Sequence, residues 1–146
     1  MSRNKKIALG VLVFLVVLQF VPMTVIQEEP TKNDLMNNAE VPAEVAQILK
    51  KACYDCHSHQ TNFPWYAKIQ PVGFWINGHT KGGRQHLNFS EWGMYDAKQK
   101  AHKLEEICEE IEHQEMPLKS YTWLHEGTRL NDEQVKLVCD WTRSLQ

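Results

Sequence analysis

The chain has 146 residues, 16 basic and 18 acidic side chains, a formal charge of −2 and 42% hydrophobic residues. Beyond residue 27 there are 13 basic and 18 acidic residues, a net −5. That length suits one modest domain behind a leader, and the acidic balance excludes a nucleic-acid partner, whose phosphates need a basic stripe.

Residues 1–6 carry Arg3, Lys5 and Lys6, and residues 7–26 are then free of charge, with Gln19 and Thr24 the clearly polar members. Such a run spans about 30 Å as a helix, the thickness of a bilayer's hydrocarbon core. The positive flank predicts a cytoplasmic N-terminus and export of the rest. The run ends Val21-Pro22-Met23-Thr24-Val25-Ile26 with no small-x-small cleavage site, so an uncleaved transmembrane anchor over residues 1–27 is preferred to a removable signal peptide. Residues 28–40 are polar, with Pro30, Asn33, Asn37 and Asn38 and no apolar period, and read as a tether. Residues 41–146 form the single domain, with no internal repeat.

Pro42 suits the first position of a helix whose Val45, Ile48, Leu49, Ala52, Cys53 and Cys56 recur at steps of three and four on one face. This helix runs into Cys53-Tyr54-Asp55-Cys56-His57. C-x-x-C-H is the attachment signature of a c-type haem: two thiols add across the two vinyl groups, and the histidine binds iron from one side. With four Cys and seven His in the chain, chance gives about 0.005 such pentapeptides, so the match carries information. Thiol–disulfide exchange would require a βαβ pattern, and a structural zinc site would require a second ligand pair at recognisable spacing; neither is present. One large flat apolar haem per chain would also supply much of what so small a domain buries.

Residues 59–92 read as a long loop rich in aromatics: Phe63, Trp65, Tyr66, Phe74, Trp75, Phe89 and Trp92 are available to wall a ring pocket or to fill an ordinary core. Arg84 is a candidate propionate partner. A second helix is predicted over residues 96–114, with Ala97, Ala101, Leu104, Cys108 and Ile111 as its buried stripe. Its other face, with Glu105, Glu106, Glu109, Glu110 and Glu112, is a solvated face or a docking surface for a basic redox partner.

Met116 follows that helix in Glu115-Met116-Pro117, 59 residues after His57. Pro117 stops the helix and orients the chain just past the thioether, which makes Met116 the preferred second axial ligand to the iron. Met94 is the weaker thioether, and His79 and His86 are the rival imidazoles; two histidines would give a lower potential than histidine and methionine. The last helix opens at Asn131, with Gln134 three residues on and Leu130 and Val135 as a hydrophobic staple, and buries Val135, Val138, Trp141 and Leu145. Cys108 and Cys139 read as two small buried hydrophobes or, in an exported chain, as a disulfide joining the second and last helices.

Cys53-Tyr54-Asp55-Cys56-His57-Ser58, Thr61, Pro64-Trp65-Tyr66, Pro71-Val72, Gly83-Arg84, His86-Leu87-Asn88-Phe89-Ser90-Glu91-Trp92, Glu115-Met116-Pro117-Leu118, Tyr121 and Leu124-His125 together resemble the bacterial haem-binding domain family of short, membrane-anchored, single-haem proteins. The likeness spans roughly residues 40–145. His59 is a departure, since the family pattern has Asn after Cys-His-Ser, and it sets a titratable group beside the motif. The resemblance implies an all-α, small cytochrome c-like domain around one covalent haem c, behind an N-terminal transmembrane helix and exported to the periplasmic side of the inner membrane. The function expected is electron transfer to a redox partner protein rather than enzyme catalysis, with Cys53, Cys56, His57 and Met116 holding the cofactor. The alternative is a haem-based gas sensor or peroxidase-like enzyme with an open sixth iron site.

Overall fold

Among the described residues, 2–22 and 27–146 of the computed structural model, all regular structure is helical. Helix α1 spans Arg3–Leu18, α2 Leu35–Asn38, α3 Ala43–Ala52, α4 Tyr54–His57, α5 Val72–His86, α6 Ala97–Glu112, α7 Lys119–Thr122 and α8 Asp132–Ser144. Two 3-10 segments, Trp65–Lys68 and Phe89–Met94, flank α5. The all-α expectation holds.

The expected membrane-crossing helix is not found among the described residues. Helix α1 has 16 residues, about 24 Å at 1.5 Å per residue, and its first turn carries Arg3, Lys5 and Lys6. No described helix is long and apolar enough to cross a membrane. The apolar run is cut short for a local reason. After Leu18 the bonding tightens to three-residue steps, Gln19 N to Val16 O at 3.1 Å, Phe20 N to Val17 O at 3.1 Å and Val21 N to Leu18 O at 3.2 Å. Pro22 then has no N–H to give and disfavours a helical Val21. The Gln19 side chain pairs reciprocally with Gln70, donating to its carbonyl at 3.0 Å and accepting from its N–H at 2.9 Å, which fixes the helix end to the chain entering α5. The last part of the expected anchor, residues 23–26, lies outside the described residues, as does Met1.

Residues 28–40 are not a free tether either. Asp34 caps α2 through the Met36 N–H at 3.0 Å, and Leu35 is fully buried in the core. The buried Asp34 carboxylate also accepts from the Tyr54 hydroxyl at 3.0 Å and from Gln60 Nε2 at 2.7 Å. Leu35, Met36 and Ala39 are few and unevenly spaced among polar neighbours and show no periodicity, so the sequence hid this packing.

The core lies between α3, α6 and α8. Val45, Leu49 and Ala52 form the buried stripe of α3, Leu104, Ile107 and Ile111 that of α6, and Val138, Trp141 and Thr142 that of α8. Capping boxes start both long helices, Asp96 with Gln99 and Asn131 with Gln134. Leu145, expected inside, is 37% exposed beyond the helix end. Cys108 and Cys139 are not two separate thiols but a disulfide between α6 and α8, with their α-carbons 4.9 Å apart.

Replacing that disulfide by Cys108→Ala/Cys139→Ala opens a cross-link spanning 31 residues and lowers unfolding stability by about 3–4 kcal/mol in a urea titration. A loss under 1 kcal/mol would mean that the helix pair needs no bond. Asp34→Ala strips the Tyr54 hydroxyl and Gln60 amide of their acceptor and costs about 3 kcal/mol in the same assay; an unchanged midpoint would refute a structural role for the 34–38 segment.

Candidate functional site

Helix α3 gives way to α4 at Cys53, whose N–H still bonds to Leu49 O at 2.9 Å. Cys56 N and His57 N both return to Cys53 O, at 3.1 and 2.9 Å. This single turn sets Cys53, Cys56 and His57 at three- and four-residue spacing on one side. Asp55 points elsewhere, accepting from Asn62 N at 2.8 Å and from the Tyr121 hydroxyl at 2.7 Å. Burial, then the bond to Asp55, raises the Tyr121 phenol above its ordinary range, so it stays an O–H donor.

His57 Nδ1 lies 3.0 Å from Gly83 O and 3.1 Å from Leu87 O. Carbonyls only accept, so Nδ1 carries the hydrogen and Nε2 keeps its lone pair. Burial lowers the imidazole pKa against the opposing pull of the two carbonyls, and the ring is neutral. Both acceptors sit at the C-terminal end of α5, where Gly83 O also accepts from the Leu87 N–H at 2.9 Å. The close crossing depends on a glycine: a Cβ at Gly83 would stand 2.9 Å from Cys56 O.

Cys53, Cys56, His57 and Met116 line one cavity of about 540 Å³, a size that takes a drug-sized or larger ligand. From α5, Gly78 and Gly82 border it, and a Cβ at either would meet nothing within 4 Å. Ala52, Leu87, Phe89, Ile107, Ile111 and Leu118 supply apolar wall. Met116 arrives there by a helix-ending turn: Gln114 N bonds to Ile111 O at 3.2 Å and Glu115 N to Glu110 O at 3.0 Å, with Gln114 in the left-handed region at φ 58°. Neither Cys53 nor Cys56 is in a disulfide. Burial pushes the Cys53 thiol up to about 12 and raises that of Cys56 as well, so both remain S–H groups.

Two thiols, a neutral imidazole with an available nitrogen and a thioether around an apolar cavity are a donor set that fits haem.

Several residues expected at the pocket lie elsewhere. The presumed loop 59–92 contains α5, one of the walls of the site. Of its aromatics only Phe89 faces the cavity. Trp92 is buried in the core, Trp65 is 74% exposed, and Phe63, Tyr66 and Trp75 line a small recess that adjoins the cavity and shares Cys56, His79, Leu118 and Tyr121 with it. Arg84 does not line the cavity: its Nε donates to Ser58 O at 2.7 Å and its Nη2 to Thr61 Oγ1 at 2.9 Å. Met94 is 67% exposed and off the cavity, whereas His79 and His86 both border it. His59 turns away, its Nδ1 3.2 Å from Glu28 Oε2 and its Nε2 accepting from Asn88 Nδ2 at 2.9 Å. Lys103, Glu106 and Glu110, on the α6 face turned to the cavity, were missed as site residues. The four-residue step from Gly78 to Gly82 and from His79 to Gly83 was the available signal for α5 as a helix with a bare face.

No curated protein and no solved structure matches this chain. The family model described as haem-binding domain matches residues 13–144, nearly the whole chain. This protein belongs to the haem-binding domain family and binds haem.

Proposed function

We propose that the chain is a periplasmic c-type cytochrome: it holds one haem per chain covalently through Cys53 and Cys56, with His57 and Met116 as axial ligands, and transfers electrons to a redox partner protein. The observation that carries this is the meeting of His57 and Met116, 59 residues apart, on the cavity that both unpaired thiols enter. When bound, haem supplies one-electron chemistry between ferrous and ferric iron.

Cys53 and Cys56 would hold the haem as thioethers, each S–H being added across a vinyl group with sulfur on one carbon and hydrogen on the other, and burial keeps both as neutral S–H groups. His57 offers Nε2, while the carbonyls of Gly83 and Leu87 hold the ring's orientation and tautomer. Met116 completes the coordination and raises the potential relative to a second histidine. With His57 and Met116 both holding the iron, no position would be left for a substrate, and the chain would act as a carrier rather than an enzyme. The Cys108–Cys139 disulfide supports an oxidising compartment outside the cytoplasm. His79 and His86 favour a second function, a gas sensor or peroxidase-like site open at the sixth position, because they border the same cavity.

The full chain matured in a cytochrome c-producing host stains for haem on a denaturing gel, gives a low-spin reduced spectrum and binds carbon monoxide only slowly. Met116→Ala keeps the stain but binds carbon monoxide rapidly; rapid binding by the unaltered chain would select the sensor instead. Gly83→Ala drives a Cβ against Cys56 O and reduces haem-stained protein severalfold relative to total protein, and undiminished staining would show that α5 yields at that crossing.

A further inference from the structure

We infer, on the reading that this cavity holds a haem covalently, that Lys103 and His86 form the edge that binds its propionates. A haem carries two carboxylates, and a carboxylate drawn against a protein wall needs cationic or N–H donors to replace water. Arg84 is the cation that composition suggests, yet it is committed to Ser58 O and Thr61 Oγ1 and does not line the cavity. Among the described residues, the basic side chains that border the cavity are His57, His79, His86 and Lys103.

His57 turns to the iron, and His79 Nδ1 is bonded at 2.9 Å to Trp75 O on its own helix. Lys103 and His86 remain, and they sit together. The Lys103 ammonium donates to the His86 carbonyl and lies 5.0 Å over the Tyr95 ring. One bond of three possible is used there, leaving donors for a carboxylate. The stem of Lys103 is half-buried, so the ammonium is held at the rim by its own packing.

The other charged groups on the wall set the direction. Glu106 and Glu110 border the cavity further along α6, toward Met116. Their carboxylates repel the propionates, whereas Lys103 near the start of that helix face attracts them. The wall is thus graded in charge, and a ring can enter with its carboxylate edge in only one favourable direction.

The test uses the full, haem-loaded chain and compares Lys103→Ala with Lys98→Ala, which removes the same charge from an exposed position of α6 outside the cavity. Lys103→Ala is expected to alter the propionate bending bands in the resonance Raman spectrum and to lower the midpoint potential more than Lys98→Ala does, because a nearby cation disfavours the extra positive charge of ferric iron. Lys103→Arg restores both. If Lys103→Ala fails to retain haem, Lys103→Gln, which keeps the stem without the charge, supplies the same readouts. Propionate bands unchanged by loss of the Lys103 charge overturn the inference alone. Absence of thioether-bound haem from the unaltered chain overturns the underlying reading and the inference with it.

Discussion

The site depends on one shared hydrogen bond. The Nδ1–H of His57 lies between the carbonyls of Gly83 and Leu87 and serves both sides of the contact. For α5, it adds a second donor to the Gly83 carbonyl, which already accepts from the Leu87 N–H, and gives a donor to the Leu87 carbonyl just past the helix end. For the imidazole, it selects the tautomer whose Nε2 keeps its lone pair and holds the ring at a fixed angle. Because the ring is half-buried and neutral, its orientation is set by these two acceptors rather than by charge. The bond requires the α5 backbone to lie almost against α4, which is why a residue without a side chain occupies position 83.

Around that contact the chain separates support from chemistry. Residues lying between and just beyond the cysteines and histidine face away from the cavity and are held from behind. Tyr54 reaches the buried Asp34, Asp55 receives Tyr121 and Asn62, and Arg84 clamps Ser58 and Thr61. Stacking of Tyr54 on Phe89, with ring centres 5.0 Å apart, joins this support to a wall of the cavity. A single helical turn is unstable alone, and here its shape is imposed by neighbours drawn from four parts of the chain.

Much of this was legible from local signals. The C-x-x-C-H string, the capping residue Asn131 and the apolar stripes of α3, α6 and α8 are short-range features, and each produces its element, although Ala97 and Ala101 of the expected α6 stripe are exposed. Met116 could be singled out because Pro117 follows it at a helix end, and the cavity does include it. Helix α5 escaped because its inner face carries glycine and histidine toward a cavity instead of leucine and isoleucine toward a core, so the usual apolar period is missing. The N-terminal helix was overread for the converse reason: apolar composition says nothing of where hydrogen bonding stops, and Pro22 with the Gln19–Gln70 pair ends it early.

Sequence alone therefore determined the helical class, the C-x-x-C-H motif and the starts of α6 and α8, because each is encoded within a few neighbouring residues. Tertiary structure alone decided that Cys108 meets Cys139, that Arg84 braces the backbone while Lys103 faces the cavity, and that Asp34 is buried beneath Tyr54. Those outcomes turn on distances between segments far apart in the chain, and no local pattern of charge or hydrophobicity specifies which of several suitable side chains will be turned toward the site.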